Sequence, residues 1–229
     1  MILNSLSIYI DRFSQNFSMN TSIRKSEGEC TVVIVLASKS RRRIELLKQL
    51  GLDFIVIEPN IEEEIRRGDP RATVLINASK KAEAVRPISP DGSVIVGIDT
   101  VVVIDGEILG KPPSLNSNIE MLRRLNGRWH TVVSGVHVSR KDRSLVEEYT
   151  VETRVKFGSF SEREILAYAS SLEGLDKAGG YAAQGLGAVL IEKIEGDFYN
   201  VVGLPIFSLM KTLERFGYDI FSSGLRKRI

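Results

Sequence analysis

The most conspicuous chemical group in this sequence is the carboxylate of Asp99, which lies inside the apolar run VIVGIDTVVVI at 94–104. An ionised carboxylate is costly to bury unless it is paired with a cation or bound to a metal. Gly97, two residues earlier, predicts a β-bulge that would redirect the side chain. Asp99 is therefore a candidate general base or metal ligand. An aspartate that faces water at a strand end is the alternative.

A second candidate is the segment SKSRRR at 38–43, which lies between a predicted buried strand and a predicted helix. Three arginines at the positive N-terminal end of a helix are electrostatically unfavourable. A bound anion would remove the conflict, because backbone N–H groups, hydroxyls and guanidinium groups together bind phosphate. The segment predicts a phosphate site, with arginines that point into solvent as the alternative.

Other charged residues could complete such a site. The glutamate run at 62–64 is typical of a solvated face, although one of its carboxylates could hold a divalent cation. Lys81 falls within a predicted helix, and Lys111 is held between Gly110 and Pro112. Single lysines are mostly surface charges, so each of these residues is weak evidence by itself.

The glycine-rich segment DKAGGYAAQGLG at 176–187 is a further candidate for ligand binding. Glycine lets the backbone approach a ligand closely, and Gln184 offers the donor and acceptor that recognition of a base requires. A mobile loop is the alternative. The sequence has neither GxxxxGK[ST] nor a strand-linked GxGxxG, so it predicts no P-loop and no Rossmann cofactor site.

Several other function classes are excluded. His130 and His137 fall in alternating strand patterns without HExxH spacing, which favours structural roles. Cys30 is the single cysteine, so no intramolecular disulfide or multi-cysteine metal site can form. No Ser-His-Asp set is evident. The net charge of +2 does not predict nucleic-acid binding.

The hydrophobic periodicity predicts an α/β fold that alternates strands with helices. Asp105-Gly106 predicts a tight hairpin, and Ser161 with Glu164 predicts a capping box. Strands are predicted at 31–37, 53–58, within 93–109, at 129–140, 144–157 and 188–196, and helices at 40–51, 70–86, 114–125, 161–170 and after 205 to about 216.

The chain divides into three parts. Residues 1–30 are polar and irregular and are interpreted as an N-terminal extension, within which Met19 is an alternative start. Residues 31–217 form the predicted catalytic domain, and residues 218–229 form a basic tail. No apolar run approaches the roughly 20 residues that span a bilayer, and no signal peptide is predicted, so we expect a cytoplasmic protein with no membrane partner.

Taken together, the segments resemble the Maf family of nucleoside triphosphate pyrophosphatases over roughly residues 32–216. The resemblance rests on an ordered set of motifs: LASKSRRRIELLKQLG, the Glu62-Glu63 stretch, the Lys81-Ala82 helix, GIDTVV, LGKP, DKAGGYAAQG and IEGDFYNVVGLP. One position departs from the family pattern, because Arg41 stands where proline is usual.

The resemblance implies a reaction and a fold. The reaction cleaves a nucleoside triphosphate between the α- and β-phosphates with a divalent cation, Mg²⁺ or Mn²⁺. The fold is an elongated α/β structure with a central mixed sheet flanked by helices and two lobes around a deep cleft. Family members are commonly homodimers.

The resemblance also assigns site residues. Arg42, Thr100 and Gln184 match the subgroup that takes dTTP and UTP. Asp99 is expected to be the proton acceptor and, with Glu63, a metal ligand, the choice between Glu62 and Glu63 being open. The expected phosphate ligands are Ser38, Arg43, Lys81 and Lys111. The remaining alternatives are a pyrophosphatase for modified pyrimidine triphosphates and a non-catalytic nucleotide or nucleic-acid binder linked to cell division.

Overall fold

The structure is a computed structural model that describes residues 32–219 and Phe221. The predicted extension at 1–30, most of the predicted tail and Cys30 lie outside the described residues. Among the described helices, none combines the length and apolarity that crossing a membrane demands.

Helices and strands alternate along the chain, as the periodicity predicts. The strands are β1 Ile34–Ala37, β2 Phe54–Ile57, β3 Val94–Ile104, β4 Glu107–Leu109, β5 Trp129–Arg140, β6 Val146–Phe157 and β7 Ile191–Glu195. The α-helices are α1 Arg41–Gln49, α2 Pro70–Val85, α3 Leu115–Leu125, α4 Glu162–Ser170, α5 Phe198–Val202 and α6 Ile206–Arg215. Short 3₁₀ turns lie at Arg86–Ile88, Ala178–Gly180 and Gly185–Leu190.

Local signals account for most element boundaries. Asp105 and Gly106 have φ values of 53° and 76°, as a tight hairpin between β3 and β4 requires. The capping box of α4 is present, with Ser161 and Glu164 bonded reciprocally. The predicted strand at 188–196 is shorter in the structure, because 188–190 belong to a 3₁₀ turn. Helix α5, capped by the side chain of Asp197, was not predicted.

The central sheet is mixed, which confirms the predicted fold class. Its strand order is β2-β1-β3-β5-β6-β7, and β4 pairs with β3. The pairs of β1 with β2 and β3 are parallel, and the other pairs are antiparallel.

Strand β3 has a gap along one edge. Its pairing with β1 ends where Ala37 meets Gly97, and its pairing with β4 begins at Val102. The opposite edge of β3 pairs continuously with β5 from Val94 to Val103. In the described part of the chain, residues 98–101 therefore have no strand partner on the β1 side.

The prediction of a β-bulge at Gly97 is wrong, because the register of β3 is regular against both β1 and β5. A Cβ atom at Gly97 would lie 2.0 Å from the carbonyl oxygen of Ala78 in α2. Glycine is needed here because the helix approaches the strand closely, and not because the strand bends.

Two hydrophobic core clusters lie along one face of the sheet. The first cluster contains Val94, Val96 and Ile98 of β3 with α1 and α6, and the second contains Val102 and Ile104 with α3 and α4. Strand β3 thus belongs to both clusters, and Thr100 lies on the same face between them.

Candidate active site at the gap in strand β3

Asp99 and Thr100 occupy the gap and point to opposite faces of the sheet, because side chains alternate along a strand. Asp99 lies on the α2 face, and Thr100 lies on the face that carries the two larger clusters. The carbonyl oxygen of Ile98 accepts from both sides, from Nη1 of Arg43 at 3.0 Å and from Nζ of Lys81 at 3.4 Å. If β3 were paired here, this carbonyl would accept a hydrogen bond from the neighbouring strand. The gap lets side chains from both faces meet at one edge.

On the α2 face, Lys81 joins two carboxylates. Its Nζ lies 2.6 Å from Oδ1 of Asp99 and 2.7 Å from Oε1 of Glu63. Asp99 and Lys81 are buried, at 5% and 7% exposure, whereas the Glu63 side chain is 42% exposed. A buried charge needs a paired partner, so the ion pair explains how Asp99 is accommodated within an apolar strand.

Of the three consecutive glutamates, Glu63 is the one that faces this pair. Glu62 is exposed, and Glu64 pairs with Arg66 and Lys80 on the surface. Burial by itself raises the pKa of Glu63, but the charges of Lys81, Lys111 and Arg43 and the hydrogen bond from Lys81 outweigh it and lower the pKa. Of the two glutamates left open as metal ligands, Glu63 is the one that contacts the Asp99–Lys81 pair.

Asn77 is a further residue of this cluster that the sequence analysis did not identify. Its Nδ2 donates to Oδ2 of Asp99 at 3.1 Å and to the carbonyl oxygen of Glu64 at 2.9 Å. Its Oδ1 accepts from the Glu64 N–H at 2.8 Å. The buried amide thus ties the glutamate segment to Asp99. A signal was present, since Thr73, Asn77 and Lys81 place polar groups at four-residue intervals on one helix face.

On the opposite face, Arg43 is buried and its guanidinium is bound to the protein. Nε donates to the carbonyl oxygen of Gly203 at 2.7 Å, and Nη2 donates to Oγ1 of Thr100 at 3.0 Å. Burial lowers the pKa of Arg43 to about 10, so it remains charged at neutral pH. Oγ1 of Thr100 also lies 2.8 Å from the hydroxyl of Ser134. Arg43 therefore links α1, β3 and the segment after α5.

Arg42 is more accessible than Arg43. Its side chain is 30% exposed, its Nε donates to the carbonyl oxygen of Val202 at 3.3 Å, and its Nη1 lies 4.0 Å from Oδ2 of Asp176. Burial is the largest influence on its pKa and lowers it, against the opposing charge of Asp176. Arg42 thus extends from the start of α1 to the glycine-rich segment.

The turn from β1 into α1 leaves the N-terminus of the helix without a side-chain cap. Ser38 is buried and its hydroxyl accepts from the N–H of Ser40 at 3.1 Å. Ser40 occupies the N-cap position of α1 as predicted, but its side chain makes no capping hydrogen bond. The first N–H groups of this helix therefore have no cap from the Ser40 side chain.

Lys111 and Gln184 are both exposed. Gly110, which precedes Lys111, accepts a hydrogen bond from the N–H of Gly179 at 3.0 Å, so the segment after β4 is bound to the glycine-rich segment. The charge of Lys111 acts on Glu63. Ala183, beside Gln184, packs in the first core cluster, and Tyr181 packs in the second. Gln184 therefore directly follows a segment that packs in both core clusters.

Both histidines have structural partners. His130 Nε2 lies 2.8 Å from the hydroxyl of Tyr181, and His137 contacts Glu148 and Ser139 at 2.7 and 3.0 Å. Neither has a hydrogen bond to the cluster around Asp99.

Known proteins resemble this chain over most of its length. The model of the family described as "Maf-like protein" matches residues 33–216. A dTTP/UTP pyrophosphatase of Staphylothermus marinus is 49% identical over 86% of this chain and 96% of its own length. One of Dictyoglomus thermophilum is 47% identical over 82% of this chain and 97% of its own length.

The solved structures found are more distant. The Ham1 protein of Staphylococcus aureus is 19% identical with a TM-score of 0.42, over 69% of this chain and 79% of its own. A HAM1 protein of Coxiella burnetii is 14% identical with a TM-score of 0.43, over 70% and 80% of the two chains. The family match over the whole described core, together with the two relatives, shows that this chain belongs to the Maf family.

Proposed function

We propose that this protein hydrolyses dTTP and UTP to the nucleoside monophosphate and pyrophosphate. The observation that carries the proposal is the cluster in which Glu63 and Asp99 converge on Lys81 beside the uncapped start of α1. The Staphylothermus and Dictyoglomus relatives are dTTP/UTP pyrophosphatases, which supports the same substrates. Modified pyrimidine triphosphates fit the same chemistry.

The cationic side chains around the gap in β3 are the proposed ligands of the triphosphate. A triphosphate carries about four negative charges, and catalysis of its cleavage depends mainly on positioning and charge neutralisation. Ser38, Arg42 and Lys111 supply hydroxyl and cationic donors, and Lys81 adds its charge while its Nζ contacts Asp99, Glu63 and the Ile98 carbonyl. Arg43 contributes its charge from a buried position, because its guanidinium is already bonded to Gly203, Ile98 and Thr100.

A divalent cation fits the donor set that the chain offers. Within residues 32–219, no three His, Cys, Asp or Glu side chains cluster as a complete protein cage for a metal would need. Glu63 and Asp99 supply two carboxylates whose oxygens contact one nitrogen, so they lie close together. Mg²⁺ is commonly held by one or two carboxylates plus substrate phosphates, where it neutralises developing negative charge.

Asp99 is the proposed proton acceptor. Water adds to phosphorus, the anhydride bond between the α- and β-phosphates breaks, and the proton of the water passes to the Asp99 carboxylate. Asn77 and Lys81 hold the two oxygens of that carboxylate in place. Arg42, Thr100 and Gln184 are assigned to selection of the pyrimidine nucleotide. We also propose that the protein forms a homodimer.

The test is pyrophosphate release from all common nucleoside triphosphates by the wild type and Asp99→Asn, with Mg²⁺ or Mn²⁺ and with EDTA. Asp99→Asn keeps the size of the side chain but removes the base, so kcat with dTTP should fall by roughly 10²–10⁴.

Asp105→Asn is the matched control, since Asp105 lies in the exposed β3–β4 turn and pairs with Arg128. It should retain wild-type kcat. Nearly full turnover by Asp99→Asn would contradict the role of Asp99 as the proton acceptor. Nucleotide binding without pyrophosphate release by the wild type would contradict the proposed function itself.

A further inference from the structure

The backbone around Gln184 is bound to two side chains from α4 and the segment after it. The Tyr168 hydroxyl accepts from the N–H of Ala182 at 3.1 Å. The Glu173 carboxylate accepts from the N–H groups of Leu186 and Gly187 at 3.0 and 2.8 Å. These bonds fall two residues before Gln184 and two and three residues after it, so the residue between them is held from both sides.

Tyr168 and Glu173 are themselves connected. The tyrosine hydroxyl donates to Oε2 of Glu173 at 3.1 Å, which is the oxygen that also accepts from Gly187. Tyr168 is only 4% exposed and packs in the second core cluster. Burial, the largest influence, raises the pKa of Tyr168, so its hydroxyl stays a donor. The support for the loop is therefore anchored in the core.

The loop sequence is shaped to this support. Gly185 has a φ of +73°, and a Cβ atom there would lie 2.3 Å from Oε1 of Glu173. A Cβ atom at Gly187 would lie 2.7 Å from the Tyr168 hydroxyl oxygen. The glycines let the carboxylate and the hydroxyl reach the backbone N–H groups directly.

Gln184 is left free by this arrangement. It is exposed, and its side-chain amide makes no hydrogen bond to any described residue. Arg42 reaches the same glycine-rich segment from α1, because its Nη1 lies 4.0 Å from Oδ2 of Asp176. A fixed backbone with an unused amide beside the cationic site is an arrangement suited to reading a ligand by hydrogen bonds.

We propose that Glu173 and Tyr168 are positioning residues that hold Gln184 in the orientation with which it selects the pyrimidine base. The inference rests on the proposed function, because it assumes that Gln184 contacts the base. Neither residue touches the phosphates in this scheme, so their loss should weaken base selection without weakening the hold on pyrophosphate.

The test compares Glu173→Gln, Tyr168→Phe and Gln184→Ala with the wild type. Glu173→Gln keeps the size of the side chain but replaces one accepting oxygen with an NH₂ group, which cannot accept from a backbone N–H. Tyr168→Phe keeps the ring and removes the hydroxyl. Glu164→Gln is the matched control, because it removes a carboxylate that caps the other end of α4 and has no bond to the loop.

The readouts are kcat/KM for dTTP and for dATP, and the inhibition constant of pyrophosphate, which has no base. The dTTP-to-dATP ratio should fall about 10- to 100-fold in Glu173→Gln and Tyr168→Phe, as displacement of a positioned group by about 1 Å can cost. It should fall similarly in Gln184→Ala. The pyrophosphate constant should stay within about 2-fold, and Glu164→Gln should keep the wild-type ratio.

An unchanged ratio in Glu173→Gln and Tyr168→Phe, alongside a reduced ratio in Gln184→Ala, would overturn the positioning role alone. An unchanged ratio in Gln184→Ala would overturn both that role and the base contact assigned to Gln184. If the wild type releases no pyrophosphate, the proposed function fails, and the ratio of dissociation constants for dTTP and dATP, measured by calorimetry on the same variants, then decides the positioning role.

Discussion

At the scale of single residues, Asn77 shows how one buried amide can organise two acidic groups. It is 2% exposed, it donates to Asp99, and it pairs with both the N–H and the carbonyl of Glu64. The neighbouring Glu63 is thereby directed to Lys81. Because hydrogen bonds to charged groups are stronger than neutral ones, the bond to Asp99 helps to fix the carboxylate on which the proposed reaction depends.

Replacing Asn77 with leucine should lower kcat for dTTP by about 100-fold, because the Asp99 carboxylate loses a donor and Glu63 loses its tether. Leucine preserves most of the volume. The measurement is steady-state kinetics, together with binding of Mn²⁺ to the free enzyme by electron paramagnetic resonance, which should weaken.

Thr73→Val is the control for this prediction. Thr73 lies one helical turn before Asn77, is fully buried, and bonds to Arg66 in the same acidic segment without touching Asp99. It should lose stability but little kcat. Equal kinetic losses in the two variants would show that tethering the segment, and not the bond to Asp99, is what matters.

At the scale of elements, the distance between α2 and the sheet decides whether the cluster can form. The helix crosses β3 and β5 over Gly97 and Gly135, and a Cβ atom at Gly135 would lie 2.5 Å from the backbone of Val74. Asn77 and Lys81 reach Asp99 because the helix backbone is this close to the strand.

Gly97→Ala should therefore destabilise the protein by about 1–3 kcal/mol or more, since overpacking forces backbone shifts. It should also reduce kcat, because the displaced helix carries Lys81 away from Asp99. Chemical denaturation and pyrophosphate release measure the two effects.

Gly110→Ala provides the comparison for stability. Gly110 also lacks a positive φ, and a Cβ atom there would meet nothing within 4 Å. A destabilisation by Gly97→Ala no larger than that of Gly110→Ala would disprove the close-packing role.

At the scale of the whole molecule, the two core clusters are joined through β3 and β5, so the folding stability of one part affects the other. The second core cluster includes Phe157 and Tyr181, and the rings of these residues pack against His130 and each other with centroids 4.7 to 5.4 Å apart. His130 is 3% exposed, and its Nε2 contacts the Tyr181 hydroxyl.

Burial lowers the pKa of His130 from 6.5 to about 4. Between these values the unfolded chain binds a proton that the folded chain does not, so this contribution to stability is complete above pH 6.5 and is lost as the pH falls toward 4. The loss should amount to about 3 kcal/mol.

His130→Phe should flatten this dependence, because no proton binds at that position in either state. The variant should also be less stable at pH 7 by about 1–3 kcal/mol, since the Tyr181 hydroxyl loses its partner. Urea denaturation at pH 4.5, 5.5, 6.5 and 7.5 measures both effects. A pH slope equal to that of the wild type would show that His130 is not the responsible group.

The sequence by itself determined the alternation of strands and helices, the β3–β4 hairpin, the capping box of α4 and the identity of the charged groups. These follow from local rules, since periodicity, turn residues and caps act within a few residues. The ordered motifs also carried the family resemblance. The sequence did not determine which of the charged side chains contact one another.

Only the tertiary structure decided that the pairing of β3 with β1 ends at Gly97 and its pairing with β4 begins at Val102, which leaves residues 98–101 without a strand partner on that edge. It also decided that Glu63 and not Glu62 faces Lys81, that Arg43 is occupied by backbone carbonyls, and that Asn77, Tyr168 and Glu173 support the site. These contacts join residues far apart in the chain, and no local pattern encodes them. They depend on strand register and on helix-to-sheet distance, which the folded backbone sets as a whole.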